Sequence, residues 1–306
     1  MGKTALMFSG QGSQYNEMGL DLYNKYDTVK NTYKKASEIF GFDCIEESKT
    51  GENFLKTLYS QPCVFTLSLA IFELLKSTKL HFDGVCGFSL GECSALYASG
   101  ITNLNDTIKI VNYRSIAMQK ASNHANGAMM AVIGLDALKI KEVLDTLGGF
   151  CIPVNYNCEG QTVIAGDSNI IDVAEVPLKN AGAKRCVKLP VSSAFHTKYM
   201  KNAGSELKEN IIDIEYNNPS IDFYTNINGE KLSEISSLSE HMEKQMTGPV
   251  YFQTLISNMV KDGYDKFIEI GPGKTLCGFV KRINKEVNIL NIENVETFER
   301  ISNDKL

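Results

Sequence analysis

Residues 87–92 read Gly-Phe-Ser-Leu-Gly-Glu, and their surroundings restrict the fold more than any other segment of the chain. Upstream, Phe82-Asp83-Gly84-Val85-Cys86 predicts a short buried strand. Downstream, Glu92 to Ala98 predicts a helix stopped by Gly100. A serine between two glycines at such a junction fits the G-x-S-x-G elbow. The glycines allow a sharp turn and close backbone approach, and the serine projects at a helix N-terminus. That placement suits a serine that attacks a carbonyl and carries an acyl group. The same pattern also occurs as a plain structural turn, so a base, oxyanion donors and a pocket must be sought elsewhere in the chain.

The 306 residues suit one large domain, or one domain with an insertion. A hydrophobic content of 43% with 22% charged residues is that of a soluble globular protein, and a net charge of −5 without like-charge runs argues against nucleic acid binding. Eight cysteines form no C-x-x-C pair and sit mostly in apolar segments, as reduced thiols of a cytoplasmic protein do. Four histidines, none spaced as a ligand with a cysteine, give no reason to expect a metal site. Met1-Gly2-Lys3 leads straight into a strand, Thr4 to Ser9, with no signal-peptide pattern. The longest apolar stretch, 62–75, contains Thr66, Ser68 and Glu73 and reads as too short and too polar to cross a membrane.

The first part of the chain reads as α/β: a strand, a Gly/Gln loop, a helix at 62–76, the elbow, and a helix at 104–121 capped by Asn103 or Asn105. The middle changes character. Gly127 to Leu135 reads as a strand, Asp136 to Leu147 as a helix, Cys151 to Asn157 and Gln161 to Ala165 as two strands, Ser168 to Ala181 as a helix, and Lys184 to Val191 as a strand. That β-α-β-β-α-β order is the ferredoxin-like pattern. It predicts an inserted subdomain at 125–190 within an α/β core formed by 1–124 and 191–306. The core then resumes with a strand at Ile221 to Thr225, helices at 236–245 and 250–262, and a strand at Lys266 to Ile270. A helix follows from Thr275 to Ile283. Gly271-Pro272-Gly273 is a second tight strand-to-helix turn, read equally as functional or as a simple connection.

Of the four histidines, His81 precedes a strand, His124 lies in a loop, and His241 sits in a charged helix. His196 follows the last strand of the insertion, where a return loop borders a cleft, although a lone histidine is more often structural. Arg114 is more telling. Its helical neighbours Ile110, Val111, Ala117 and Met118 are all apolar, so it lies in a buried stripe and needs an anion. Either an internal carboxylate or a substrate carboxylate could supply one, the latter gripped by the guanidinium fork. The loop Ser9-Gly10-Gln11-Gly12 could present N–H groups to an oxyanion or be only a polar turn.

Together these residues resemble the malonyl-CoA:acyl carrier protein transacylases of bacterial fatty acid synthesis, relatives of polyketide synthase acyltransferase domains. The matches run in order along nearly the whole chain: FSGQGSQ at 8–14, QP at 61–62, GFSLGE at 87–92, YR at 113–114, NYN at 155–157, SAFH at 193–196, Gln245 with PV at 249–250, and EIGPGKTL at 269–276. The resemblance implies a hydrolase-like parallel-sheet core with a ferredoxin-like α+β insertion. It implies Ser89 as nucleophile and His196 as base in a Ser-His dyad, the imidazole being oriented by the main-chain carbonyl of Gln245. It further implies an oxyanion hole from the N–H groups of Gln11 and Leu90, and Arg114 for the malonyl carboxylate. Asn155, Phe195 and Gln61 are placed at the substrate and coenzyme A pocket, with Phe195 filling space that a branched α-carbon would need. The substrates are malonyl-CoA and holo acyl carrier protein. No bound cofactor, nucleic acid or membrane is implied, and the chain is expected to be a monomer. One position departs from the family: the elbow usually reads GHSxGE, and here Phe88 replaces the histidine. The alternatives are a polyketide acyltransferase acting in trans, a serine thioesterase or other hydrolase, and a non-catalytic carrier-protein binder. Arg114 in its apolar stripe weighs against the hydrolase, and intact Ser89, Arg114 and His196 weigh against the binder.

Overall fold

The structure is a computed structural model that describes residues 2–124, 126–191 and 193–303. Ala125, where the insertion is expected to begin, and Ser192, in the segment leading to His196, lie outside the described residues. The strands in chain order are β1 (Lys3–Phe8), β2 (Gly84–Gly87), β3 (Gly127–Ile133), β4 (Cys151–Cys158), β5 (Gln161–Asp167), β6 (Arg185–Lys188), β7 (Asp222–Tyr224), β8 (Lys231–Leu232), β9 (Tyr264–Ile270) and β10 (Asn288–Ile292). They form a six-stranded sheet in the order β10-β9-β1-β2-β7-β8 and a four-stranded sheet in the order β4-β5-β3-β6.

The larger sheet is parallel except for its β7–β8 pair. Its central strands are buried on both faces. Side chains alternate, so Leu6, Phe8 and Val85 enter one core while Ala5, Met7 and Cys86 enter the other. Phe8 lies opposite both Gly87 and Ile270, so β1, β2 and β9 end level. The loops that follow these three strands therefore share the carboxyl edge of the sheet, where open α/β sheets bind their ligands.

The helix Thr57–Leu75 starts before the apolar stretch that predicted it, and it is long and apolar enough to cross a membrane. It is instead a core helix: Ser60 to Phe72 are buried, and the Phe72 ring meets Phe8 edge-on at 5.9 Å. Asn103, rather than Asn105, caps the helix Leu104–His124, its Oδ1 accepting from the Asp106 N–H at 3.0 Å. β10 and the helix Val295–Asn303 were not anticipated from the sequence; they extend the sheet beyond β9.

The smaller sheet is antiparallel throughout and is crossed on one face by the helices Ala137–Leu144 and Ser168–Asn180. Ile140, Leu144, Ile171 and Leu178 pack there on Met130, Val132 and Ile164. The alternate residues of the same strands, Met129, Ala131, Val163 and Ala165, join the core that also contains Leu6 and Phe8. The period of two thus gives the small sheet one private face and one face resting on the large unit. β6 is shorter than the stretch predicted from Lys184 to Val191.

The elbow glycines are required by space. A Cβ on Gly87 would lie 2.0 Å from the Gly91 carbonyl carbon, and a Cβ on Gly91 would lie 2.0 Å from the Phe8 carbonyl oxygen. Neither obstacle is a flexible side chain. Gly91→Ala is therefore expected to destabilise the fold by about 3 kcal/mol or more, since backbone must move. Denaturant unfolding checks this, and a loss under about 1 kcal/mol would mean that the elbow has slack.

Candidate active site

The turn from β2 into the helix Gly91–Ala98 places Ser89 at φ 50°. Among the described residues only Glu17, Ser89 and His196 are non-glycine residues with positive φ. A left-handed conformation costs a residue with a Cβ about 1–3 kcal/mol, and it persists only where surrounding contacts enforce it. Two of these three residues face each other: Ser89 Oγ lies 2.8 Å from His196 Nε2. They are 107 positions apart and meet because the loop after β6 returns over the carboxyl edge of the large sheet.

His196 Nδ1 lies 2.9 Å from the carbonyl oxygen of Gly248. A carbonyl only accepts, so Nδ1 carries the proton and Nε2 is left to accept from the Ser89 hydroxyl. Here the structure departs from the expected base-orienting group. The carbonyl bonded to Nδ1 belongs to Gly248; the Gln245 carbonyl is a further acceptor that favours the protonated ring. The Gln245 side chain does something else, its Nε2 donating to the Ser89 carbonyl at 2.7 Å. The reason is geometric: Gly248 follows the last turn of the helix Leu238–Thr247, where carbonyls lack intrahelical partners.

His196 is almost fully buried. Burial, with the positive charge of Arg114 as second cause, brings its pKa down to about 4, against the opposing pull of the two carbonyls. The ring is therefore neutral, and able to accept a proton, across the ordinary range of pH.

Arg114 has no solvent exposure, and its apolar neighbours Ile110, Val111, Ala117 and Met118 are buried as their spacing required. No carboxylate pairs with it among the described residues. Its Nη2 donates to Ser89 Oγ at 3.1 Å, while Nε and Nη1 have no partner. Desolvation by burial pushes the guanidinium pKa down, and arginine keeps its proton in proteins all the same. The result is a buried cation beside the serine with two of its three nitrogens unused among the described residues.

Neither Leu90 nor Gln11 donates its backbone N–H to another group among the described residues. Gln11 is tied through its side chain: Gln61 Nε2 donates to Gln11 Oε1 at 3.0 Å, and Gln11 Nε2 reaches Thr57 Oγ1 at 3.3 Å. Gln61 is itself buried, with Oε1 unpartnered. Asn155 lies on β4 at the bridge to Val250, buried with Oδ1 unpartnered. Phe195 packs into the main core beside His196. Phe88 occupies the opposite face of the sheet, edge-on to Phe252 at 5.5 Å and 6.1 Å from Phe279. A Cβ on Gly10 would come within 2.9 Å of its ring, so Phe88 supports the Gly10–Gln11 loop from beneath. The second turn is a packing junction: Gly271 is closely approached by Ser68 and Ser9, and the buried Glu269 accepts from Ser9 Oγ and the Cys277 N–H.

Sequence reasoning missed Asn226, Glu92 and His241, which are all buried and all bonded to or beside the elbow. Asn226 follows a strand adjacent to β2 at the carboxyl edge, a position that could have flagged it. His241 lies in a charged helix whose local pattern gives no sign of the buried contact with Glu92.

The sequence matches the family described as acyl transferase domain over residues 6–303. It is 34% identical over 304 residues to the malonyl CoA-acyl carrier protein transacylase of Bacillus subtilis, covering 98% of this chain and 96% of that one. The fold is similar to the crystal structure of MCAT from Streptococcus pneumoniae, with a TM-score of 0.92 at 35% identity over 98% of this chain and 99% of that one. It is also similar to a malonyl-transacylase solved in complex with its type II PKS acyl-carrier protein, with a TM-score of 0.92 at 30% identity over 98% and 99% of the two chains.

Proposed function

Since this chain belongs to the acyl transferase family, as a malonyl-CoA:acyl carrier protein transacylase of fatty acid synthesis, we propose that Ser89 carries the malonyl group between two thiols with His196 as its base. His196 Nε2 takes the hydroxyl proton as Ser89 Oγ attacks the malonyl thioester carbonyl. The N–H groups of Leu90 and Gln11 hold the oxyanion, a role worth about 3 kcal/mol of barrier for each donor. Collapse breaks the carbon–sulfur bond, and the imidazolium returns its proton to the departing coenzyme A thiolate. The phosphopantetheine thiol of the carrier protein then gives its proton to His196 and attacks malonyl-Ser89. The new thioester leaves, and Ser89 recovers its proton.

The observation that carries the malonyl reading is the buried, carboxylate-free guanidinium of Arg114, 3.1 Å from Ser89 Oγ. A thioester lacking a carboxylate would leave that cation uncompensated, and the malonyl carboxylate offers its free donors a matching fork. Asn155, Phe195 and Gln61 would line the pocket. Residues 125–190 would form the inserted subdomain, and the chain would act as a cytoplasmic monomer. Acidic carrier protein would meet Lys184, Arg185, Lys188, Lys198 and Lys201. Lys188 already pairs with Asp172, and Lys198 lies 3.9 Å from the Phe150 ring centre, which leaves Lys184, Arg185 and Lys201 as the freer cations of the group among the described residues.

Intact-protein mass spectrometry tests the reading. Malonyl-CoA should add one malonyl group to the wild type and none to Ser89→Ala, and holo carrier protein should remove it as a thioester. Release of free malonate in its place would make the chain a hydrolase.

A further inference from the structure

A turn that holds its nucleophile at φ 50° must be held from outside, and one side chain spans it. Asn226, fully buried just after β7, donates from Nδ2 to the Gly87 carbonyl at 2.7 Å and accepts at Oδ1 from the Ser89 N–H at 2.6 Å. A single amide thus bridges both limbs of the elbow. Only an amide has a donor and an acceptor in those two places. A carboxylate would turn lone pairs toward the Gly87 carbonyl.

This bridge decides which N–H groups can serve an oxyanion. The N–H of Ser89 is consumed by Asn226, whereas that of the next residue, Leu90, meets no acceptor among the described residues. Asn226 is fixed in turn by Glu92, whose Oε2 accepts from the Asn226 N–H at 2.6 Å. Glu92 has no solvent exposure; its Oε1 accepts from Thr225 Oγ1 at 3.0 Å and lies 2.7 Å from His241 Nε2. His241 is four residues before Gln245 and seven before Gly248. One face of the helix Leu238–Thr247 and its C-cap therefore reaches the elbow through His241 and Gln245, and the imidazole of His196 through Gly248.

We propose that Asn226 is a positioning residue for acyl transfer: it locks the elbow peptide so that the Leu90 N–H faces the oxyanion, and Glu92 and His241 hold it in place. The inference rests on the reading of Ser89 as nucleophile and Leu90 as donor. Asn226 bonds the backbone of the turn rather than Ser89 Oγ, so its effect falls on rate rather than on substrate affinity.

Rapid-quench acylation by malonyl-CoA, followed by intact mass and normalised to the titre of active sites, provides the test. Loss of one oxyanion donor costs about 10²–10³ in rate, and a loosened donor should forfeit a share of that. Asn226→Ala and the isosteric Asn226→Asp should each lower the acylation rate constant by about 30-fold or more. Transfer to holo carrier protein should fall by a similar factor, with half-saturation by malonyl-CoA within about threefold of wild type. His241→Ala should lose about tenfold, and His241→Gln, which keeps a donor toward Glu92, should recover most of it. A wild-type rate per active site in either Asn226 variant overturns the proposal, as does a loss confined to the active fraction. If neither Asn226 variant folds, the His241 pair decides by the same readout, equal rates for Ala and Gln overturning it. A malonyl adduct on Ser89→Ala would remove the nucleophile reading itself, an outcome separate from failure of the Asn226 variants alone.

Discussion

Arg114→Ala is expected to lower kcat/KM for malonyl-CoA by about 10²–10⁴, because parting a buried ion pair costs about 3–5 kcal/mol. The wild-type protein keeps a guanidinium with no solvent exposure and, among the described residues, no carboxylate partner and two idle nitrogens. That arrangement is costly until an anion arrives, so the energy is recovered only with a substrate that bears a carboxylate. Acetyl-CoA offers a methyl group in that place and gains nothing from Arg114. Transfer of acetyl should therefore be unchanged or faster in the variant. Acyl-enzyme formation with both thioesters measures the ratio. An unchanged malonyl rate would mean that the fork serves only to orient Ser89 Oγ, to which Nη2 already donates.

His196→Ala should cut acylation by about 10³ at neutral pH, within the 10²–10⁴ range for loss of a general base. In the wild type the reactive ring is the neutral one, so activity disappears as pH falls through the pKa of the free enzyme. That value is about 4, set by burial first and by Arg114 second. A plot of kcat/KM for malonyl-CoA against pH should thus stay level from neutrality down to about pH 5 and fall only as pH approaches the pKa. Arg114→Ala removes one of the two lowering causes, so its acid limb should move to higher pH. A wild-type limb near the ordinary imidazole value of 6.5 would show that water reaches the ring in solution.

Much of this was legible in the one-dimensional pattern. The elbow lies between a strand and a helix because its glycines let backbone approach so closely that an added Cβ would come within 2.0 Å of it, and no other residue type could stand there. Arg114 was marked by four apolar neighbours at helical spacing, and all four are buried. The β-α-β-β-α-β order corresponds to an antiparallel sheet with the order β4-β5-β3-β6, since its helices need a common apolar face. Other features carried no local mark. β10 has weak alternation because it lies at the edge of the sheet and is largely half-buried. His241 sits among charged residues, and only the packing of its helix over the elbow brings it to Glu92.

The residue pattern settled the elements and their chemistry: which serine is bent out of a strand, which arginine lies in an apolar helical stripe, which segments alternate. These depend on residues within a turn or two of each other, and periods of two and 3.6 record them directly. Tertiary structure alone decided the partners. That the Gly248 carbonyl accepts the Nδ1–H bond, that Asn226 spans the elbow from 137 positions away, and that His241 reaches Glu92 across 149 follow from the level ends of β1, β2 and β9 and the helix laid over them. Hydrogen bonds act over about 3 Å, so they are settled only when packing has fixed which distant segments are neighbours.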